Sequence, residues 1–376
     1  MQARETRIDD IELLRGIAVL LVVLHHVNGN LFVPSGRFLP EFFALFGGWV
    51  GVDLFFAISG FVIARSLLPV LAAAPDARTR TAEVMRFWIR RAFRLLPAAW
   101  LWLGLILLLS IVFNGQGFFG TPQANLDAAL AGALQYANLR FAEVFGVSFY
   151  GASFVYWSLS LEWQFYLVLP LIAFAFRGWL AVVLLAWLLL LCLLPRGIWG
   201  LSLRTDAIAW GVLLALLAQA PSWATWAQQV ATWRGIATLT ALAGIAALAL
   251  LGSPLAEGMP LRINLIAVVA VVVTAIAAAD AGAFRWLCPG PLGRAGLWLG
   301  TRSYAVYLCH VPLMYLLREA AAREGFAPPA APSVALLLYA LLLGVFSEAT
   351  FRLVEQPCRR LGRRITQAPH HGGANA

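Results

Sequence analysis

Residues 13–32 read LLRGIAVLLVVLHHVNGNLF, a stretch of membrane-span length with Arg15 near its start and His25 and His26 well inside. A helix turns about 100° per residue, so Arg15 and His26 point to within roughly 20° of one another. They share one helix face, about 16 Å apart along the axis. Ionisable groups inside a span are costly and face a protein interior, a cavity or a partner. A simple anchor would carry none of them, so this helix is expected to wall a site.

The rest of the chain has the same solvent in mind. Hydrophobic residues make up 61% and charged residues 12% of the 376, and the mean hydropathy is +0.81. A water-soluble domain carries about 25% charged residues, so the expected fold is an all-α, polytopic membrane protein. Apolar runs of about 20 residues give ten candidate transmembrane helices at 13–33, 45–68, 93–113, 155–176, 178–195, 203–219, 234–252, 262–279, 299–317 and 333–354. The shortness of 178–195 leaves an eight-span arrangement open. All 27 basic residues are arginine. With both termini cytoplasmic, twenty arginines fall inside and seven outside, the bias that sets membrane orientation. That pattern explains the +9 charge without nucleic acid.

One membrane domain over 1–358 is expected, followed by a short basic tail, 359–376, that reads as disordered and ends PHHGGANA. No signal-peptide cleavage pattern precedes the first span. The stretch 69–92 reads as a cytoplasmic, Ala/Arg-rich loop, and 114–154 as the longest outer segment. Cys192, Cys288, Cys309 and Cys358 lie far apart with no metal or redox spacing, so they read as reduced packing residues and no metal is expected.

Depth along each span groups the polar residues. His26 lies roughly 20 Å into a core of about 30 Å. Asp53, in GGWVGVDLFFAISGF, lies roughly 10–12 Å from the opposite surface. Glu162, in YWSLSLEWQFYLVLP, and His310, in SYAVYLCHVPLMY, fall within a turn or two of the same layer. Two imidazoles and two carboxylates in one layer suggest acid–base chemistry. Arg15, Arg91 and Arg94 form a second layer at the cytoplasmic span ends. Arg91 and Arg94, three apart on one helix, can present two guanidiniums to one anion. Pro97 is expected to kink that helix or to end its first turn.

Blander readings compete for several positions. Arg90 and Arg302 suit topology anchors. His310 could simply bond a neighbouring backbone group, and His25, turned about 100° from His26, could only pack. An ion pair with Arg204 or a histidine would account for Glu162. His25, Arg204 and His310 are therefore candidates for lining the site, with His26, Asp53 and Glu162 at its centre. The intramembrane acids and histidines could also form the proton relay of a transporter or flippase, but the inverted repeat common in such proteins is not visible.

Seven segments, in order, resemble the acyltransferase family 3 of integral membrane proteins. They are IELLRGIAVLLVVLHH, GGWVGVDLFFAISGFVIARSL, FWIRRAFRLLPAAW, WSLSLEWQFYLVLPLI, LRTDAIAWGVLLALL, SYAVYLCHVPLM and FRLVEQPCRRLGRR. The resemblance implies a multi-pass enzyme of the bacterial plasma (inner) membrane, with no permanently bound cofactor. Its donor substrate would be acetyl-CoA or another cytoplasmic acyl-CoA, and its acceptor a hydroxyl on an envelope polysaccharide, another glycan, a lipid-linked sugar or a macrolide-like small molecule. By position, His26 would be catalytic and Arg15, Arg91 and Arg94 would bind the CoA donor. Asp53 and Glu162 match the family's intramembrane acids, and one of them could hold the second ring nitrogen of His26. General-base and acyl-histidine routes both stay open.

Overall fold

The computed structural model describes residues 7–32, 38–194, 196–287, 289–325 and 332–367. Arg4, Arg37, Cys288 and the PHHGGANA ending lie outside the described residues. Each of the ten expected spans coincides with a helix. They are α1 (Asp9–Asn30), α2 (Gly51–Ala73), α3 (Ala77–Val112), α4 (Tyr156–Phe176), α5 (Leu180–Leu193), α6 (Asp206–Leu217), α7 (Arg234–Leu251), α8 (Arg262–Ala278), α9 (Ser303–Arg323) and α10 (Pro332–Thr350). A further helix, α11 (Gln356–Thr366), follows a π-helical stretch at Phe351–Glu355. No strand occurs among the described residues. Six helical segments are long and apolar enough to cross a membrane, α5 and α8 are apolar but shorter, and α1 and α9 carry the charges of the site.

Close helix contact is made through small residues, as expected where lipid offers no hydrophobic drive. The α2–α6 contact is close on both sides. A Cβ on Gly60 would sit 2.2 Å from the Ile208 carbonyl oxygen, and one on Gly211 2.2 Å from that of Ala57. The two backbones touch, which fixes Asp53 of α2 beside the segment before α6. Around this centre, leucines and phenylalanines such as Leu108, Leu171, Leu189 and Leu337 are exposed, the outward apolar surface a bilayer requires.

Three expectations change. The stretch 69–92 is not a loop: α2 runs to Ala73 and α3 starts at Ala77, with the Asp76 carboxylate accepting from the Thr79 N–H at 2.7 Å as its cap. That bond holds the Asp76 carboxyl below the ordinary carboxylate range. Pro97 lies inside α3 and does not end it, since the helix continues to Val112. The basic tail is helical through Thr366, because α11 packs along α3 instead of leaving the protein.

The outer segment is also built. It holds helices Pro122–Ala133 and Ala137–Val144. Glu319 of α9, fully buried, accepts from the backbone N–H groups of Gln116 at 3.0 Å and Phe118 at 2.9 Å. Arg140 donates to the Tyr150 carbonyl at 2.9 Å and lies over its ring. Burial pushes the Tyr150 phenol up to about 12.

Candidate active site

His26 occupies the last regular turn of α1. Beyond it Asn28 (ψ 117°) and Gly29 (φ 80°) leave helical geometry, and the left-handed step at 29 suits glycine. The broken end is held from α9: Arg318 donates to the Gly29 and Asn30 carbonyls at 3.2 Å each. The Tyr315 hydroxyl bonds Asn30 Oδ1 at 2.8 Å, and Asn30 Nδ2 returns to the His26 carbonyl at 2.8 Å. The imidazole is thus fixed by its backbone.

Its ring has defined neighbours. His26 Nδ1 lies 3.0 Å from the Val22 carbonyl oxygen and 3.1 Å from His310 Nε2. His310, fully buried, donates from Nδ1 to the Tyr307 carbonyl at 2.6 Å. His25 and Phe154 meet the His26 ring edge-on, with centroids at 5.2 and 5.3 Å. The side chain of His26 is half-buried, and its Nε2 bonds nothing among the described residues.

Neither acid hydrogen-bonds His26, so the carboxylate expected on its second nitrogen is replaced by His310. Asp53, 2% exposed, is engaged by Arg204, 5% exposed, at 3.2 Å. The Arg204 guanidinium lies between Trp49 and Trp157, 4.8 Å from each ring centre. Glu162 accepts from the hydroxyls of Ser59 and Tyr166, which are themselves 2.8 Å apart. Arg204 is not its partner. Its hydrogen-bond partners tie Glu162 to α2 and to its own helix, with no bond to either imidazole. The physical reason is availability: each buried acid is satisfied by the nearest donor of its own layer.

Arg359 lies with two of the three arginines expected at the span ends, Arg15 and Arg94. Arg15 pairs with Glu12 at 2.9 Å and is close enough to Arg94 for their charges to interact. Arg91 lies over the rings of Phe87 and Tyr166. Arg94 and Arg359 are close enough for their charges to repel, with Arg363 and Arg15 adding to the field. Glu355, 4% exposed, is the nearby counter-charge, and its Oε1 has no partner. Arg15, Arg94 and Arg359, with Glu12 on the first and Glu355 nearby, outnumber the carboxylates named with them, and such an excess of cations favours an anion. Arg359 was hidden in a tail read as disordered; its signal was the arginine spacing of CRRLGRR. Arg302 is different. It is two-pronged onto Glu348, which also takes the Trp298 N–H at 2.8 Å, an anchor role.

Site and fold can now be set beside known proteins. The profile of an acyltransferase domain matches residues 8–348. O-acetyltransferase OatA of Staphylococcus aureus is 24% identical over 378 residues, covering 93% of this chain and 57% of that protein. Peptidoglycan O-acetyltransferase OatA of Listeria monocytogenes is 24% identical over 382 residues, covering 94% of this chain and 56% of that protein. The chain therefore spans little more than half the length of these relatives. No solved structure matches it. A profile match over nearly the whole chain, on an all-helical fold of apolar spans, places this chain in the acyltransferase-3 family of integral membrane proteins.

Proposed function

We propose that this chain is a membrane O-acyltransferase that carries an acyl group, acetyl in the first instance, from cytoplasmic acyl-CoA to a hydroxyl of a cell-envelope glycan of the peptidoglycan type. One observation carries the reading: a half-buried histidine, with one ring nitrogen that bonds nothing among the described residues, shares a helix with Arg15, whose charge interacts with that of Arg94 in a cluster joined by Arg359. Two relatives named O-acetyltransferases, one of them for peptidoglycan, support the glycan acceptor and the acetyl group.

Each part of the site has a task in this reading. Arg15, Arg94 and Arg359, with Arg91 beside them, take the CoA phosphates by charge-assisted hydrogen bonds. Glu12 keeps Arg15 in place, and Glu162 is held by Ser59 and Tyr166. Asp53 and Arg204 brace α2 against the start of α6 and do not touch substrate. His26 accepts the proton of the attacking hydroxyl at Nε2. The new C–O bond forms, the C–S bond breaks, and the sulfur leaves with the electron pair and receives a proton to give the free thiol. In the acyl-histidine variant the same nitrogen attacks first and passes the acyl group on.

The test uses membranes containing the full chain, labelled acetyl-CoA and a peptidoglycan or envelope-glycan acceptor. His26→Ala should abolish transfer at unchanged expression, while His25→Ala retains most of it. Transfer at the normal rate by His26→Ala would remove the reading.

A further inference from the structure

We propose that His310 is a positioning residue that fixes which nitrogen of His26 reacts and shares the proton His26 takes up. This rests on the acyl-transfer reading above. The geometry dictates the proton positions. A carbonyl oxygen can only accept, so His310 Nδ1, 2.6 Å from the Tyr307 carbonyl, carries a hydrogen. Neutral His310 then presents a lone pair at Nε2. His26 Nδ1 faces that lone pair at 3.1 Å and the Val22 carbonyl at 3.0 Å. Both neighbours accept, so His26 carries its hydrogen on Nδ1 and leaves Nε2 as the base.

The arrangement does for His26 what a buried carboxylate does for a triad histidine, without an anion. When His26 Nε2 takes the hydroxyl proton, its Nδ1–H bond to His310 becomes charge-assisted and strengthens. The proton can also shift across to His310 Nε2, whose opposite N–H already rests on the Tyr307 carbonyl. His310 is fully buried, where a free carboxylate would be costly. Tyr307 is itself anchored: its hydroxyl is 2.7 Å from Ser158 Oγ and donates to the Val155 carbonyl at 3.1 Å.

Two substitutions separate this role from a packing role. Glutamine places its amide near the former Nε2 and can still accept from His26; asparagine places it near Nδ1 and can only keep the Tyr307 contact. His310→Leu and His310→Asn should lower kcat about 10- to 100-fold, the loss of one charge-assisted hydrogen bond, with KM for acetyl-CoA within about twofold. His310→Gln should recover most of the rate. Asparagine rescuing as well as glutamine, or a loss confined to KM, would overturn the assignment. Magnetic resonance of isotope-labelled histidine in the wild-type protein supplies a readout independent of activity. A coupling between His26 Nδ1 and His310 Nε2 across the hydrogen bond is expected; a hydrogen on His26 Nε2 in the neutral form refutes it. If His26→Ala keeps full transfer, the function reading fails, while the nitrogen coupling still judges the pairing.

Discussion

The Asp53–Arg204 pair makes a quantitative test of how the outer half is braced. Both side chains are nearly fully buried, joined by one contact of 3.2 Å, and Arg204 Nε has no partner. Breaking a buried pair from one side costs about 3–5 kcal/mol, because the other charge is left without compensation. A guanidinium cannot shed its charge in a protein, so Asp53→Leu strands a fixed cation between Trp49 and Trp157. Arg204→Met also gives up two ring contacts, each about 0.5–2 kcal/mol. Replacing both residues by apolar ones removes the buried charges together, and such replacements are close to neutral or stabilising. The incomplete bonding of Arg204 favours that outcome. At about 2–4 °C per kcal/mol, each single variant should lose roughly 6–20 °C in thermal midpoint, and the double variant far less. Fluorescence-detected gel filtration of detergent-solubilised protein after a heating series reads this directly. A double variant as unstable as the worse single would show that the two residues do more than cancel each other's charge.

Two further perturbations test other parts of the structure. Alanine at both Arg94 and Arg359 should raise KM for acetyl-CoA at least tenfold, leave KM for the acceptor near its original value and weaken the salt dependence of donor binding; an unchanged donor dependence would return these arginines to topology. Glu319→Leu should strand the N–H groups of Gln116 and Phe118 at about 1–3 kcal/mol each, seen as faster proteolytic nicking between residues 113 and 121, and equal nicking in both proteins would contradict the clamp.

What could be read in advance was whatever depends on neighbours in sequence. Span positions follow from local apolarity, and the shared face of Arg15 and His26 follows from helix period. Partner choice was not legible. His26 and His310 are 284 residues apart, and depth placed them in one layer without showing which acid or imidazole would meet which. Asp53 and Glu162 looked interchangeable until packing gave one to Arg204 and the other to two hydroxyls. Arg359 was missed because a short basic stretch has no apolar run of its own; its helix exists by resting on α3. The stretch 69–92 was misread for a similar reason, since arginines interrupt hydropathy without interrupting a helix.

Thirty-six residues of unbroken α3 amount to a rod about 54 Å long, against a hydrocarbon core of about 30 Å. Arg94 sits near the middle of that rod and Val112 about 27 Å further on. A rocking of about 5° around Arg94 would therefore carry the far end through about 2 Å, by rigid-rod geometry alone. That far end runs straight into the turn clamped by Glu319. The same helix thus joins the arginine cluster at Arg94 to the Glu319 clamp beyond Val112, and a tilt at one is a displacement at the other.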